Sequence, residues 1–339
     1  MTVTIKDIAK RIGKSIATVS RALNDHDDIG AETKALVRQT AKEMGYIPNV
    51  AASQLQKRRT DTIGLILPSS ELRFSDPFFG ELLTGITEET NQHGYSLLVS
   101  TVTAEENEVD KYLRYMRSRR VAGFIIIRTQ REDERINALL EHDFPFVAFG
   151  RVDGENNFPY VDDDGELGIR QAVGHLVALG HTRLACITEP KHLTRSNCRQ
   201  KGFWQGLQEH GLPIDESLIL EGGFRRRSGR NLTHQLLDME NPPTAIVAVN
   251  DLLALGAMQA TQERGLVVGE DISITGFDDI LLAEYVHPLL TTVHIPAYEM
   301  GVTLFQLLMK RVKGKLSDNM QVVIQPELVV RQSTGSVKA

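Results

Sequence analysis

Cysteine is scarce in this chain. Its 339 residues hold two, Cys186 and Cys198, with no Cys-x-x-Cys pair. That excludes a disulfide framework and a thiolate zinc site. Cys186, inside the apolar run LACIT, reads as core, and so few thiols suit a reducing compartment. Long hydrophobic runs are also missing. No stretch nears the roughly 18 apolar residues of a membrane helix, and the opening MTVTIKDIAKRIGKS has no secretion-signal core. A cytoplasmic protein is therefore expected.

Enzyme signatures are missing too. Gly13-Lys14-Ser15 ends like a phosphate-binding loop, but Ile8 stands where that loop needs glycine. There is no Gly-x-Ser-x-Gly, no His-Glu-x-x-His and no Cys/His cluster at metal spacing. The run Asp162–Asp164 lacks the alternation of a calcium loop and is expected to mark a crossing between lobes. Neither catalysis nor a cofactor or metal is expected.

What is present is ordinary globular composition, 41% hydrophobic and 24% charged. The length suits a small domain joined to a large or split one. Charge is uneven. Residues 1–60 carry 11 Lys and Arg against 6 Asp and Glu, while residues 61–339 carry 27 against 38. A basic segment ahead of an acidic body assigns contact with a polyanion to the first segment, although chance produces such differences in some chains.

Residues 1–60 read as short helices. Thr4 can cap the first, with Asp7 three residues on, and Ile5, Ile8, Ala9 and Ile12 recur at helical spacing. Gly13 stops it. Ser15 can cap a second helix carrying Ile16, Val19, Ala22 and Leu23. A third is predicted from about Ala31 to Met44, with Leu36, Val37, Thr40, Ala41 and Met44 as its apolar side and Gly45 as its stop. Three short helices with a tight glycine turn form the helix-turn-helix pattern, whose second helix reads the major groove. Its candidate readers are Ile16, Ala17, Ser20 and Arg21. Arg21 suits guanine or a phosphate, and Ile16 and Ala17 suit thymine methyls. The alternative is a plain bundle with Ile16 in its core.

Residues 46–60 read as a connector. Pro48 breaks what precedes it, and Asn49 can cap a short helix running to about residue 58. Isolated helices need roughly 12–15 residues, so this one forms only when something holds it. Beyond residue 61 the pattern changes. The apolar runs TIGLILP, YSLLVSTV, AGFIII, FVAFG, RLACIT, SLILEG, AIVAVN and ISITGF alternate with helical stretches near 79–93, 105–119, 166–179, 199–210, 229–239 and 251–264. Continuous apolar strands between helices mean parallel sheets covered on both faces. HGYSLLVS and LGHTRLACIT share a helix-glycine-strand plan, which hints at two similar lobes.

The segment TIKDIAKRIGKSIATVSRALN resembles the headpiece of the LacI/GalR family. It departs from the usual pattern with Ile12 and Lys14, neither a DNA-contacting position. The likeness continues through Thr33, GYIPN and VAASQLQ to VVRQST near the C-terminus, and so covers nearly the whole chain. It implies an all-α helix-turn-helix headpiece followed by an α/β core like the periplasmic binding proteins, built of two doubly wound lobes. The expected boundaries are headpiece 1–60 with a hinge helix at about 49–58, and core 61–331. One lobe would hold about 61–159 and 292–320, the other about 160–291 and 321–331, with a tail at 332–339.

The resemblance also implies roles. DNA contacts would fall on Thr4, Ile5, Ser15, Ile16, Ala17, Thr18, Ser20, Arg21, Asn24 and Thr33. Leu55 would wedge into the minor groove, flanked by Asn49, Ala52 and Gln54. An effector pocket would draw on Arg199 in CRQKGF, Asn250 in VAVNDLLALG and Asp278 in ITGFDD, with Asp76, Phe78 or Phe79, and Phe224. Arg128 and Arg151, each following a strand, are further candidates. Read singly, Asn250 is also compatible with a helix cap, Asp278 with a turn and Phe78 with core.

The function implied is a sugar-controlled DNA-binding regulator, a repressor of carbohydrate-utilisation genes. Its partners would be a small sugar effector and pseudopalindromic operator DNA with a central CG. The chain ends soon after VVRQST without a leucine-heptad tail, so a homodimer is expected. Aromatic and arginine content suggests an oligosaccharide such as an α-glucoside. A purine- or protein-responsive regulator remains open, as does a sugar-binding transport protein, which would leave the headpiece unexplained.

Overall fold

The computed structural model describes residues 3–46, 60–68, 76–103, 105–315 and 320–338. The chain divides into two compact units, Met1–Thr60 and Asp61–Ala339.

The first unit contains α1 (Ile5–Ile12), α2 (Ile16–Leu23) and α3 (Ala31–Glu43). The Thr4 amide and hydroxyl both donate to one Asp7 carboxylate oxygen, at 2.9 and 2.7 Å, and fix the start of α1. Gly13 takes φ 64°, which a side chain would resist, and turns the backbone sharply into α2. The Ser15 hydroxyl then accepts the Thr18 amide at 3.0 Å. Ile8, Ala9, Val19, Ala22, Val37 and Ala41 close a small core. Leu36, expected on the apolar side of α3, is 46% exposed. Val37, Thr40 and Ala41, expected on the same side, are buried, and Leu36 falls at the edge of that stripe.

The second unit contains two sheets. The first has β1 (Thr62–Pro68), β2 (Ser96–Val102), β3 (Gly123–Ile127), β4 (Phe146–Phe149), β5 (Tyr160–Asp163) and β11 (Gln321–Ile324), in the order β11-β5-β4-β3-β1-β2, all parallel. Its helices are α4 (Pro77–Gln92), α5 (Glu108–Arg117), α6 (Glu134–Glu141) and α11 (Ala297–Val312). The second sheet has β6 (Leu184–Thr188), β7 (Ile219–Glu221), β8 (Ala245–Ala248), β9 (Ser273–Asp278), β10 (Thr291–His294) and β12 (Glu327–Val329), in the order β12-β10-β9-β8-β6-β7. Only the β12 edge is antiparallel. Its helices are α7 (Gly165–Ala178), α8 (Thr194–Glu209), α9 (Arg226–Leu237) and α10 (Asp251–Glu263). Both sheets repeat one doubly wound order, reversing between β1 and β3 and between β6 and β8. Ligands of such sheets bind at the carboxyl ends of strands flanking the reversal.

Glycine sets the closest helix packing. A Cβ on Gly85 of α4 would lie 2.1 Å from the Tyr298 carbonyl oxygen, and one on Gly301 of α11 would lie 2.2 Å from that of Leu82. The two backbones therefore meet with no side chain between them. Among the described residues no helix is long and apolar enough to cross a membrane.

The lobe boundaries differ from the expected ones at every crossing. β5 belongs to the first sheet, so the first crossing follows Asp163 and not residue 159. β10 lies in the second sheet, which moves the return to 295–296. β11 rejoins the first sheet and β12 the second, so the third crossing falls at 325–326. The segment expected as a tail is part of the second lobe. Buried Ser333 donates to the Ile274 carbonyl at 2.6 Å and accepts the Thr291 amide at 2.8 Å, and the Val337 amide bonds the Leu179 carbonyl. These backbone groups need partners, and the tail supplies them.

Replacing Ile8 by Ala removes one of six buried apolar side chains of the headpiece. The loss of about 2–5 kcal/mol is expected to melt the first unit while the transition of the second stays in place. Differential scanning calorimetry with helix-band circular dichroism reads both.

Candidate DNA-reading face and effector cleft

In the first unit α2 presents a small exposed face. Ile16 is 49% exposed, and Ala17, Arg21 and Asn24 are exposed beside it, with Ser20 and Thr18 half-buried. A branched aliphatic left in water forgoes about 1.5–3 kcal/mol of burial, so the bundle reading that places Ile16 in the core does not hold. Arg21 reaches Asp28 at 2.8 Å, an exposed pair that an incoming anion can displace. The Asn24 side chain donates to the Ser20 carbonyl at 2.8 Å. Thr4 and Ser15 are exposed cap residues, Thr33 is half-buried, and Ile5 is half-buried against the small core. Asn49, Ala52, Gln54 and Leu55 lie outside the described residues.

In the second unit the carboxyl ends of the two sheets bring together polar groups near the reversals of strand order. Arg128 follows β3 with φ 62°, and its guanidinium lies 4.6 Å above the Phe224 ring of the other lobe. Burial, reinforced by the nearby positive charge of Arg195, lowers its pKa to about 10. Glu189 follows β6 and is fully buried. Its carboxylate accepts Arg195 Nε and Nη2 at 2.7 and 2.6 Å and the Asn250 amide at 2.7 Å. The other side of the Asn250 amide accepts the Leu253 amide and starts α10. Asn250 is therefore both the expected helix cap and a partner of the buried Glu189 carboxylate.

Arg199 is 1% exposed. Its Nη1 donates to the Val249 carbonyl at 2.6 Å, and its Nη2 stands 3.4 Å from both Asp163 and Asp278. The guanidinium lies 3.7 Å from the centre of the Phe277 ring. Asp278 sits at φ 110°, a strained value for a side-chain-bearing residue. Its carboxyl is raised to about 7 by burial, opposed by Arg199 and Arg195 and reinforced by Asp76 and Glu189. Asp76 caps α4 through the Phe78 amide at 3.2 Å.

Phe78 and Phe79 do not offer an open stacking face. Both are buried in the core of the first lobe, and Phe78 stacks on Phe149 with centroids 6.0 Å apart. Phe224 is half-buried, with Arg128 over its ring and Arg195 6.0 Å from its centre. Arg151 is bound to Asp162 at 2.6 Å at the first crossing. Sequence reading missed Glu189, Arg195 and Asp163. Glu189 follows an apolar strand directly, the place where a doubly wound lobe puts ligand-facing groups, and that was the available signal.

The two units thus define a class: a helix-turn-helix DNA reader joined to a two-lobed binding core. Residues 4–49 match the lacI family of bacterial regulatory proteins, and residues 173–334 match the periplasmic binding protein-like domain. The transcriptional regulator DegA of Bacillus subtilis is 38% identical over 338 residues, 99% of each chain. The lac repressor dimer bound to operator and the anti-inducer ONPF superposes with TM-score 0.86 at 29% identity, covering 99% of this chain and 100% of that one. A complex of the regulator CelR with cellobiose gives 0.76 at 30% identity, covering 98% and 99%. The chain belongs to the LacI family and is a helix-turn-helix transcriptional regulator.

The raised Asp278 carboxyl makes a pH prediction. Its folded value, about 7, lies above its ordinary 3.8. The stability it contributes is complete below the ordinary value and is lost as pH rises through 7. Asp278→Asn removes that loss. The unfolding free energy of the parent protein, read from melting curves, is expected to fall relative to that of the variant between pH 5 and 8 by an amount on the order of 3 kcal/mol. Parallel melting curves across that range would exclude the effect.

Proposed function

We propose that this chain is a homodimeric, cytoplasmic repressor of carbohydrate-utilisation genes, released or seated on its operator by a sugar. The observation that carries the reading is the Glu189–Asn250–Arg195 and Arg199–Asp278 lining where the carboxyl ends of the two sheets face each other. Carboxylate, amide and guanidinium groups donate to and accept from hydroxyls in directional pairs, which suits a polyol better than an apolar ligand. The cellobiose bound by CelR and the operator bound by the lac repressor support the same assignment. A sugar transport protein accounts for the core and leaves the exposed face of α2 without a use.

The mechanism follows from linkage. The effector shifts DNA affinity only as far as it binds the DNA-competent and incompetent arrangements unequally, a coupling of about 1–3 kcal/mol in such systems. Ile16 and Ala17 would pack on thymine methyls and Arg21 would bind guanine or a phosphate. By the resemblance, the operator is a pseudopalindrome with a central CG. Fluorescence anisotropy on that DNA against a scrambled duplex, at fixed salt and with a panel including cellobiose and maltose, tests both halves. Arg21→Ala is expected to lose about 1–3 kcal/mol of specific affinity. Equal affinity of the parent protein for both duplexes would refute the operator assignment.

The dimer has its own support. The turn Leu281–Glu284 and the residue after it expose Leu281 by 65% and Tyr285 by 75%, with Leu282 also exposed. Such a patch marks a contact surface. The double substitution Leu281→Glu with Tyr285→Glu is expected to sediment as monomer at concentrations where the parent chain is dimer. An unchanged sedimentation coefficient would place the interface elsewhere.

A further inference from the structure

The two lobes touch through backbone as well as through side chains. The Thr194 amide donates to the Thr129 carbonyl at 3.2 Å, and the Arg131 amide donates to the His192 carbonyl at 3.1 Å. Gln130 and Leu193 between them form an isolated antiparallel bridge. Residues 129–131 follow β3 of the first sheet, and residues 192–194 lead into α8 of the second lobe. Neither segment belongs to a named strand, so the pair has no sheet to support it.

Its place in the topology gives it leverage. The crossings run beside β5, β10, β11 and β12. β3 stands two strands from β5, and β6, whose following loop holds 192–194, stands three strands from β10. With neighbouring strands about 4.8 Å apart, the bridge lies roughly 10–15 Å from the crossings. Lobes that swing about their crossings must part there, and two hydrogen bonds at that distance oppose the swing. Arg128 and Phe224 reinforce the same edge, because the guanidinium of the first lobe rests on the ring of the second. Arg131 is tied back to its own lobe by Asp153 at 2.7 Å, which holds the donor segment in place.

We infer that the Thr129–Arg131 and His192–Thr194 segments form a clasp across the cleft, and that its breaking sets how often the lobes open. The inference rests on the reading that ligand enters between the lobes. It names the contact that controls entry and exit.

The fold offers a clean way to remove one bond. Thr194 is the first residue of α8, preceded by Leu193 at φ −87° and ψ 133°. Proline is well tolerated at that helical position, and the preceding residue already has the extended conformation proline requires. The Thr194 hydroxyl has no hydrogen-bond partner among the described residues. Thr194→Pro therefore deletes the amide donor and little else.

Amide hydrogen exchange of the full-length chain, with neither DNA nor sugar added, is the test. In the parent protein the Arg131 amide is expected to be protected. In Thr194→Pro its exchange should quicken roughly three- to tenfold, the worth of one hydrogen bond, while Phe124–Ile127 in β3 stay unchanged. An unprotected Arg131 amide in the parent protein, or the same rate in the variant, would overturn the clasp.

A second variant guards against misfolding of the first. Facing residues of an antiparallel bridge lie within disulfide range. Gln130→Cys with Leu193→Cys, in a Cys198→Ser background, should cross-link under oxidised glutathione and slow Arg131 exchange until reduced. Failure to cross-link in folded protein would also overturn the proposal. Failure of operator binding would leave these results standing and count against the proposed function alone.

Discussion

The core depends on one buried cation. Arg199 lies beneath both sheets' ends with almost no access to water, and an isolated guanidinium there would be prohibitively costly. It is tolerated because a carboxylate from β5 of the first lobe, Asp163, and one from the second, Asp278, flank its Nη2, while the Val249 carbonyl accepts Nη1 and the Phe277 ring lies against its face; its Nε has no hydrogen-bond partner among the described residues. Breaking a buried pair on one side strands the other charge, a loss of about 3–5 kcal/mol. The Arg199–Asp163 pair thus ties the second lobe to the first beside the crossing.

The surrounding groups follow from that constraint. Asp278 stands between Arg199 and the acidic side chains Asp76 and Glu189, and burial raises its carboxyl into the neutral range. Asp251, one residue beyond Asn250, is fully buried and raised well above its ordinary value by burial. It is held by the Thr292 hydroxyl and the Ile280 amide. Glu189 keeps its charge company with Arg195 and orients the Asn250 amide. A ligand entering such a site exchanges hydrogen bonds with groups already paired, so its binding is coupled to how those pairs rearrange. Under the proposed function, that rearrangement is what would couple the cleft to DNA affinity. The clasp at Gln130 and Leu193 acts on the same equilibrium from the far edge.

Much of this was legible in the residues. Thr4, Gly13 and Ser15 marked the ends of α1 and α2, because caps and glycine turns act locally. The eight apolar runs became strands, because a strand buried on both faces needs an unbroken hydrophobic sequence. Arg199, Asn250 and Asp278 did come together at the strand ends. The failures were of another kind. β5, β10, β11 and β12 are three or four residues long, most of them mix polar with apolar residues, and β11 and β12 pair with strands distant in sequence. No periodicity can register in so short a span. Each missed strand adjoins a crossing, which is why all the lobe boundaries were displaced. The segment 332–338 carried no pattern, and only the backbone partners it meets made it part of the second lobe.

Chemistry local to the chain was enough for the two-unit plan, the helix-turn-helix with Ile16 and Arg21 on its reading helix, the alternation of strand and helix, and the family. Each rests on interactions between residues close in the chain or on burial that composition reports directly. Long-range packing alone made Phe78 and Phe79 core, brought Glu189 and Arg195 to Asn250, and bonded residues 129–131 of one lobe to residues 192–194 of the other. Those facts come from contacts between segments tens of residues or more apart. Their strength depends on distance and on exclusion of water, and neither is written along the chain.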